Sequence, residues 1–264
     1  MIDIGKRNVV GCLVDGVDYE AAVDRVLQAA REWRPYAVAA LAIHGAMVAF
    51  SDPQYRFRLN QLDLVVPDGQ GIRWALNWLH RIGLPDRVYG PKLTLLICAR
   101  AAEDGLPIFL YGSEQRVLDL LTSNLCKRFP GLVIAGSEPP NLGTVSKERE
   151  EIAARIRASG ARITFVGLGC PRQEVFVHEY RDILGMPTIA VGAAFHYHAG
   201  LLKEPPQWVQ RWGLHGFYRM LQEPRRLWKR FLLLPPMYLA LVALQLLGLW
   251  RPEPQDAPVV RNDR

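Results

Sequence analysis

The sequence predicts an α/β fold in which helices flank a mostly parallel sheet, with a helical appendage at its C-terminal end. Short apolar runs alternate with longer amphipathic stretches along residues 1–200, which is the pattern of repeated strand–helix–strand units. The runs near Leu64 and Ile163 are apolar without alternation, as expected when helices cover both faces of a sheet. Further along, the pattern changes to an aromatic and basic segment and then to an apolar one.

The predicted elements of this Rossmann-like sheet alternate along the chain. Strands are predicted at residues 9–14, 37–43, 64–66, 108–111, 132–135, 163–166 and 188–191. Helices are predicted at residues 19–33, 71–80, 93–103, 115–128, 147–158 and 173–183. The strand runs are short and rich in Val, Ile and Leu, whereas the helical runs are long enough to form an apolar stripe. In such a sheet, ligands bind where loops leave the carboxyl ends of the strands.

The composition is that of a folded protein from a reducing compartment. Of its 264 residues, 50% are hydrophobic and 22% are charged, so a core of ordinary size can form. The cysteines, Cys12, Cys98, Cys126 and Cys170, contain no CxxC pair, which argues against a zinc site or a disulfide framework. Because residues 1–7 lack the apolar stretch of a signal peptide, we expect the protein to stay in the cytoplasm.

The chain divides into a predicted α/β core at residues 1–200, an appendage at 201–251 and a polar, disordered tail at 252–264. The formal net charge is +6, and the appendage is densely basic between residues 208 and 230. Its basic residues there, opposed only by Glu223, are Arg211, Arg219, Arg225, Arg226, Lys229 and Arg230. Such a cluster favours phosphate partners, namely nucleic acid, anionic lipid or pyrophosphate; a solvated helix face is the alternative.

The end of the appendage, residues 231–250, is apolar except for Gln245. An apolar stretch of about 20 residues suggests a spanning helix, but Pro235 and Pro236 interrupt it and leave residues 237–250, roughly 21 Å of helix. Beside a basic cluster, such a segment is expected to lie in the membrane interface. The alternative is a helix packed on the core or in an oligomer contact, so a homo-oligomer stays open.

Asp68 is the first candidate for chemistry, because the sequence VVPDG at residues 65–69 puts a carboxylate at the end of a buried strand. A carboxylate at the mouth of the sheet can act as a general base, which transfer of a group to a hydroxyl requires. The alternative interpretation is that Asp68 caps the helix that starts near Gly71.

The second candidate is the sequence VGLGCPRQE at residues 166–174, where a strand enters a glycine-rich turn. Backbone amides around Gly169 and Pro171 at the start of the next helix can hold a diphosphate, and Arg172 and Gln173 add donors. The sequence is neither GxGxxG nor GxxxxGK[ST], so the standard dinucleotide and P-loop interpretations fail. Cys170 could be a nucleophile, but no Cys–His arrangement accompanies it.

His196 and His198 form the third candidate, since histidines two residues apart suggest a metal site. No carboxylate or cysteine ligand accompanies them, and no DxD motif is present, so ordinary hydrogen-bonding histidines are favoured. We therefore expect neither a metal nor another cofactor.

Taken together, these segments resemble the WecG/TagA/CpsF family, glycosyltransferase family 26, in order from about residue 8 to 232. The segments that carry the resemblance are HGAMVAFSDPQYRFRLNQLDLVVPDG (44–69), RVYGPKL (87–93), RFPGL (128–132), VGLGCPRQE (166–174), VGAAF (191–195) and EPRRLWKRF (223–231). PDG and GCPRQE followed by EPRR are specific in combination.

The resemblance implies a metal-independent, inverting transferase that uses a UDP-sugar and an undecaprenyl-pyrophosphate-linked saccharide in cell-surface or exopolysaccharide synthesis. It implies that Asp68 is the general base and that Arg87 and Gln173 lie near the diphosphate and sugar of the donor. It also implies that Arg219, Arg226 and Arg230 lie in an appendage that closes over the active site at the membrane. Together with Arg225, these arginines are expected to bind the acceptor pyrophosphate at the inner face of the plasma membrane.

Four segments depart from the family pattern. His44 stands where an acceptor-positioning Asn is common, and His196 where an aspartate contacts the nucleoside, so both are kept as site residues. Lys92 replaces an aspartate, and His215 with Gly216 replaces Glu-Trp. These changes keep open a second hypothesis, a catalytically degenerate scaffold subunit of a polysaccharide-synthesis complex.

Two other classes fit the sequence less well. A nucleotide-dependent oxidoreductase lacks its GxGxxG signature. A nucleic-acid binder would place its basic residues among exposed stacking aromatics, whereas here they lie beside an apolar segment, so we expect no nucleic-acid partner.

Overall fold

The structure, a computed structural model, describes residues 1–140, 147–206, 209, 212–213, 215–222, 228 and 232–254. It begins with a hairpin of β1 (Asp3–Val9) and β2 (Cys12–Val17), which pair antiparallel with Val9 opposite Cys12. The strand predicted at residues 9–14 is therefore wrong, because the hairpin turn lies inside it. Val10 (φ 53°) and Gly11 (φ 85°) form that turn. Hairpin turns are predicted from Gly, Asn and Asp, the residues that favour positive φ. The sequence did not predict this turn because an apolar valine occupies one of its positive-φ positions.

The main sheet is parallel throughout, as the sequence predicts. Its strands are β3 (Tyr36–Leu41), β4 (Leu64–Pro67), β5 (Ile108–Tyr111), β6 (Ile134–Glu138), β7 (Ile163–Val166) and β8 (Pro187–Ala190). Their order across the sheet is β4-β3-β8-β7-β5-β6. Alternate residues of β3 enter different cores: Ala37 and Ala39 face one, and Val38 faces the other. Burial on both faces explains why these strands are continuously apolar.

Helices cover both faces of this sheet. They are α1 (Tyr19–Arg31), α2 (Ile43–Ser51), α3 (Pro53–Asn60), α4 (Gln70–His80), α5 (Gly90–Glu103), α6 (Gln115–Arg128), α7 (Lys147–Ala158), α8 (Arg172–Leu184) and α9 (Ala194–His198). Buried residues of α1, α5 and α6 belong to one core, and those of α2, α3, α4 and α8 to the other. The helices therefore bury the sheet between two apolar layers.

Helices α2 and α3 are absent from the sequence prediction, which instead extended the strand over residues 37–43. The strand ends at Leu41, and α2 begins at Ile43. Helix α3 has an ordinary start signal: the Asp52 carboxylate accepts hydrogen bonds from the amides of Gln54 (2.9 Å) and Tyr55 (3.1 Å). Pro53 follows at the first helical position, where it costs no hydrogen bond.

The appendage contributes α10 (His215–Gln222) and α11 (Leu234–Leu246). Pro235 and Pro236 lie in the first turn of α11, so they begin this helix, and its predicted start at residue 237 is wrong. Tyr238 (0% exposed) and Val242 (2%) bury one side of α11 against α2 and α4. Packing on the core, the alternative interpretation of this segment, is therefore correct for that side.

The opposite side of α11 and the turn after it remain apolar and exposed. The exposed side chains there are Met237, Leu239, Leu244, Leu246, Leu247 and Leu249. In the described part of the chain, no helix has both the length and the apolar character needed to cross a bilayer. Of the predicted disordered tail, residues 255–264 lie outside the described residues.

Candidate functional site

A cavity of about 1120 Å³ opens at the carboxyl ends of β3, β4, β5, β7 and β8. Its wall includes seven of the side chains or backbone positions that the sequence singled out: His44, Asp68, Arg87, Gly169, Arg172, Gln173 and His196. Pro171 does not line the cavity; it is the residue before the first turn of α8. Residues from six separate loops and helices thus converge on one space.

Asp68 directly follows β4 and is held at the floor of the cavity by two elements. Its amide donates to the carbonyl of Leu41 at 3.0 Å, and its Oδ1 accepts a hydrogen bond from the amide of Gly90 at 2.6 Å. Helix α4 starts after Gly69 without any side-chain cap. The interpretation of Asp68 as the cap of α4 is therefore wrong: its carboxylate binds the first residue of α5, where a helix dipole favours negative charge.

Gly90 permits this close approach of α5 to the strands. A Cβ atom there would lie 3.3 Å from Cβ of Ala40 and 3.6 Å from Oδ1 of Asp68. A side chain at position 90 would therefore crowd Ala40 of β3, while its contact with the carboxylate would be an ordinary one.

Arg87 is almost fully buried (6% exposed) beside Asp68. Its Nη1 donates to the backbone carbonyl of Asp68 at 3.3 Å, and its guanidinium lies 4.2 Å from the centre of the Tyr89 ring. Because the ring and the carbonyl fix the guanidinium, Arg87 supplies an oriented positive charge to the cavity.

Gln173 is buried (5% exposed) at the start of α8, and both ends of its side-chain amide are engaged. Its Oε1 accepts from the amide of Gly169 at 3.2 Å, and its Nε2 donates to Oε1 of the buried Glu174 at 2.8 Å. Its own backbone amide donates to the carbonyl of Gly169 at 3.1 Å. The amide of Gly169, which we predicted would help to hold a diphosphate, and the side chain of Gln173, which we predicted would add donors, are thus already bonded to other groups of the protein.

Glu174 is a site residue that the sequence analysis did not single out, although it ends the quoted segment VGLGCPRQE. The property that identifies Glu174 in the structure is its burial (3% exposed), since a buried carboxylate needs hydrogen-bonding partners. Cys170 also lines the cavity, and its Sγ lies 3.7 Å from the hydroxyl of Tyr55.

The two histidines of the third candidate have separate surroundings. His196 lines the cavity, whereas Nε2 of His198 bonds the carbonyl of Pro91 at 2.8 Å, and burial lowers the pKa of His198. Among the described residues, no group of three or more His, Cys, Asp or Glu side chains could hold a metal ion. His44 lies in the first turn of α2 and lines the cavity.

The appendage contributes apolar residues to one side of the cavity, namely Phe217, Pro235 and Leu239. The sequence analysis assigned no role to these, nor to Trp74 of α4. Of the appendage arginines, Arg219 belongs to α10 but its side chain is outside the described part, as are Arg225, Arg226 and Arg230 entirely.

Comparison with known proteins gives a consistent result. Residues 7–252 match the model of the glycosyl transferase WecG/TagA/CpsF family. An N-acetylglucosaminyldiphosphoundecaprenol N-acetyl-beta-D-mannosaminyltransferase of Bacillus spizizenii is 31% identical over 188 residues, which is 71% of either chain. The protein of the same name from Bacillus subtilis is 31% identical over 191 residues, which is 72% of either chain.

Proposed function

The chain belongs to the WecG/TagA/CpsF family of glycosyltransferases, and we propose that it transfers a hexose or N-acetylhexosamine-type sugar from a UDP-sugar to an undecaprenyl-pyrophosphate-linked saccharide. The names of the two Bacillus relatives describe an acceptor of this kind, N-acetylglucosamine on diphosphoundecaprenol. Because these relatives are 31% identical to the chain, we propose the same class of acceptor for it but do not propose that the transferred sugar is N-acetylmannosamine. The product would serve bacterial cell-surface or exopolysaccharide synthesis.

The observation that carries this proposal is the carboxylate of Asp68, held at the floor of the cavity by the amide of Gly90 at 2.6 Å. In the proposed reaction Asp68 takes the proton of the acceptor hydroxyl as its oxygen attacks the anomeric carbon of the donor. The bond between that carbon and the UDP oxygen breaks on the opposite side, so the configuration inverts. His44, which also lines the cavity, would orient the acceptor hydroxyl.

The departing UDP needs positive groups, which we assign to two arginines that line the cavity. Arg87 is an oriented, buried cation, and Arg172 is a second cation in the first turn of α8. The two arginines would stabilise the diphosphate without a metal ion. Gln173 would contribute by holding the loop at Gly169 in place through its hydrogen bond with the Gly169 amide. His196 would lie beside the nucleoside. We therefore expect full transferase activity in excess EDTA. A loss of activity that Mg²⁺ restores would contradict the proposal that the diphosphate is stabilised without a metal ion.

The acceptor is a lipid, so the enzyme must meet it at a membrane surface. We assign both the membrane contact and the binding of the acceptor to the appendage. The exposed side of α11 would contact the bilayer, and the acceptor pyrophosphate would pair with Arg219, Arg225, Arg226 and Arg230. The protein would then be cytoplasmic and peripheral on the inner face of the plasma membrane.

The degenerate scaffold remains the second candidate. Lys92 gives it little support, because Lys92 lies 4.4 Å from the Tyr19 ring and does not line the cavity. His196 does line it and is the observation that favours the scaffold.

The two candidates are separated by transfer with purified full-length protein. A panel of UDP-sugars is first tested for a rise in melting temperature, since a ligand of the folded state stabilises it. The sugar that stabilises most is then offered with a synthetic pyrophosphate-linked saccharide lipid. Formation of the elongated lipid supports the proposal, and UDP-sugar binding without any transfer favours the scaffold.

A further inference from the structure

One side of the cavity is apolar, in contrast to the floor and the glycine-rich loop. It is formed by Ile43 of α2, Trp74 of α4, Phe217 of α10, and Pro235 and Leu239 of α11. We call these five residues the apolar wall. None of them carries a charge or a hydrogen-bonding group that could match a sugar or a diphosphate, apart from the indole N–H of Trp74.

The apolar wall is built by close packing between the core and the appendage. A Cβ atom on Gly71 would lie 2.6 Å from Cδ1 of Ile43 and 3.6 Å from the ring of Tyr238, so α2, α4 and α11 meet there. The hydroxyl of Tyr238 also donates to the carbonyl of Gly71 at 3.3 Å. Pro235 and Leu239 are four residues apart and therefore lie on the same face of α11.

Trp74 extends this wall toward the outside of the molecule. Its ring stacks on that of Trp78, with 6.1 Å between ring centres, and Trp78 is 49% exposed. The backbone of Gly213 packs on the other part of the ring, since a Cβ there would lie 2.9 Å from Cη2 of Trp74. Phe217 (50% exposed) reaches both the cavity and the surface.

The size of the cavity leaves room for more than a nucleotide sugar. Pockets for a single small molecule usually measure about 300–1,000 Å³, and this one measures about 1120 Å³. A nucleotide sugar would take the polar floor and loop. The remaining apolar wall, open to the surface at Phe217 and Leu239, matches a hydrocarbon chain that leaves the cavity.

We propose that the apolar wall binds the first isoprene units of the acceptor lipid and leads the chain out of the cavity along Trp74, Phe217 and Leu239. This proposal rests on the proposed function, because it assumes that the acceptor is a lipid-linked saccharide. It adds a lipid subsite inside the catalytic cavity, separate from any contact of the protein surface with a bilayer.

The test compares acceptors that share one saccharide-pyrophosphate head but carry a methyl, a farnesyl or an undecaprenyl group, all in detergent. Wild-type protein should show a clearly higher kcat/KM for the farnesyl than for the methyl acceptor. Trp74→Ala should lower kcat/KM for the farnesyl acceptor by about tenfold and leave the methyl acceptor nearly unchanged, since the lost contact is with the chain. The KM for the UDP-sugar should not change.

One further variant and one control variant help to interpret that result. Phe217→Ser should act in the same direction, and because Phe217 is half exposed its loss leaves the fold intact. Trp33→Ala is the control, since Trp33 is a tryptophan beyond the end of α1 that is about as exposed (55%) as Phe217 and does not line the cavity. Melting temperatures identify any variant that is merely unstable.

Three results would overturn the lipid subsite: equal wild-type kcat/KM for methyl and farnesyl acceptors, equal losses for both acceptors in Trp74→Ala and Phe217→Ser, or a raised KM for the UDP-sugar alone. The second would assign the wall to the saccharide and the third to the nucleotide. Failure of the proposed function is a different outcome, in which wild-type protein elongates none of the three acceptors, and the subsite falls with it.

Discussion

Asp68 is fixed by contacts from parts of the chain that are far apart in sequence, the end of β3 through Leu41 and the start of α5 through Gly90. A base held in this way needs no reorganisation before it accepts a proton, which is an advantage for catalysis. The hydrogen bond to Gly90 also keeps the carboxylate aimed along one direction.

Asp68→Asn tests this role with almost no change of shape. The amide can still accept from Gly90 but cannot take a proton, so we expect kcat to fall by at least about 10² while the KM for the UDP-sugar stays nearly constant. Steady-state kinetics measure both values. Near-normal turnover would remove Asp68 from the role of base.

Glu174 should matter through Gln173. Because a carboxylate only accepts hydrogen bonds, its contact with Nε2 of Gln173 (2.8 Å) determines which end of that amide faces the loop. Glu174→Gln removes this constraint, and we expect the KM for the UDP-sugar to rise by about three- to tenfold with a smaller change in kcat.

The matched control for Glu174 lies on the same helix. Glu179→Gln alters a carboxylate that pairs with Arg58 at the surface at 3.5 Å, and it should leave the kinetics unchanged. Equal losses of kcat in both variants, or an unchanged KM in Glu174→Gln, would show that Gln173 does not depend on Glu174.

The sequence could identify Asp68, Arg87 and Gln173 as candidates because each follows a strand or lies in a recognisable segment. It could not identify Trp74, whose part in the cavity depends on where the appendage packs. Nor could it indicate that the amide of Gly169 is bonded by the side chain of Gln173, since that contact depends on the turn geometry. Local pattern predicts which residues are near a strand end, and tertiary packing decides their partners.

At the scale of elements, the same distinction explains which ones could be predicted. The parallel strands are recognisable because burial on both faces makes them uniformly apolar. Helix α2 is also nearly uniformly apolar, since it lies between the sheet and α11, and so it lacks the helical periodicity that would separate it from the preceding strand. The hairpin of β1 and β2 was missed because its turn uses a buried valine.

That hairpin turn is also where α11 is anchored. Oε1 of Gln245 accepts from the amide of Val10 at 2.9 Å, and its Nε2 donates to the carbonyl of Asn8 at 2.9 Å. The one polar residue of the apolar segment thus satisfies the backbone of a turn at the other end of the chain. His80 also bonds the carbonyl of Asn8, so the amide of Val10 is the group that depends on Gln245.

Gln245→Ala should therefore lower the free energy of unfolding by about 1–3 kcal/mol, the cost of a buried amide without a partner. Denaturant unfolding measures it. The control is Gln115→Ala on the exposed face of α6, where Gln115 bonds only Asp119 at 2.7 Å and the change should stay within about 0.5 kcal/mol. Equal small effects in both variants would mean that Gln245 does not anchor α11.

At the scale of the whole molecule, α11 has two surroundings. Its exposed apolar side faces away from the core, while the cavity lies beside its N-terminal end, at Pro235 and Leu239. The apolar side chains that no described residue covers include Leu246 (53% exposed), Leu247 (70%) and Leu249 (72%). Deleting the appendage is a poor test of membrane binding, because Tyr238 and Val242 of α11 belong to the core. Removal of buried apolar groups would unfold the protein as well.

Point variants on the outer surface separate membrane binding from folding. Full-length protein should bind anionic liposomes at low salt and bind them less at high salt, because basic residues near an anionic surface each contribute about 1 kcal/mol and salt screens them. Leu246→Glu with Leu249→Glu should weaken liposome binding while the melting temperature stays close to that of the wild type. Val133→Glu is the control, since Val133 is an exposed (52%) apolar residue before β6, and this variant should bind as the wild type does.

Charge reversal of Arg226 and Arg230 should act differently from the leucine variants. If these arginines pair with the acceptor pyrophosphate, their reversal raises the KM for the lipid acceptor more than the KM for the UDP-sugar, even in detergent where no bilayer is present. The leucine variants should regain normal kinetics in detergent, because they lose only the contact with the bilayer. If wild-type protein does not bind anionic liposomes at low salt, the proposed membrane binding is wrong. If the arginine variants have an unchanged KM for the acceptor in detergent, the proposed contact with the pyrophosphate is wrong.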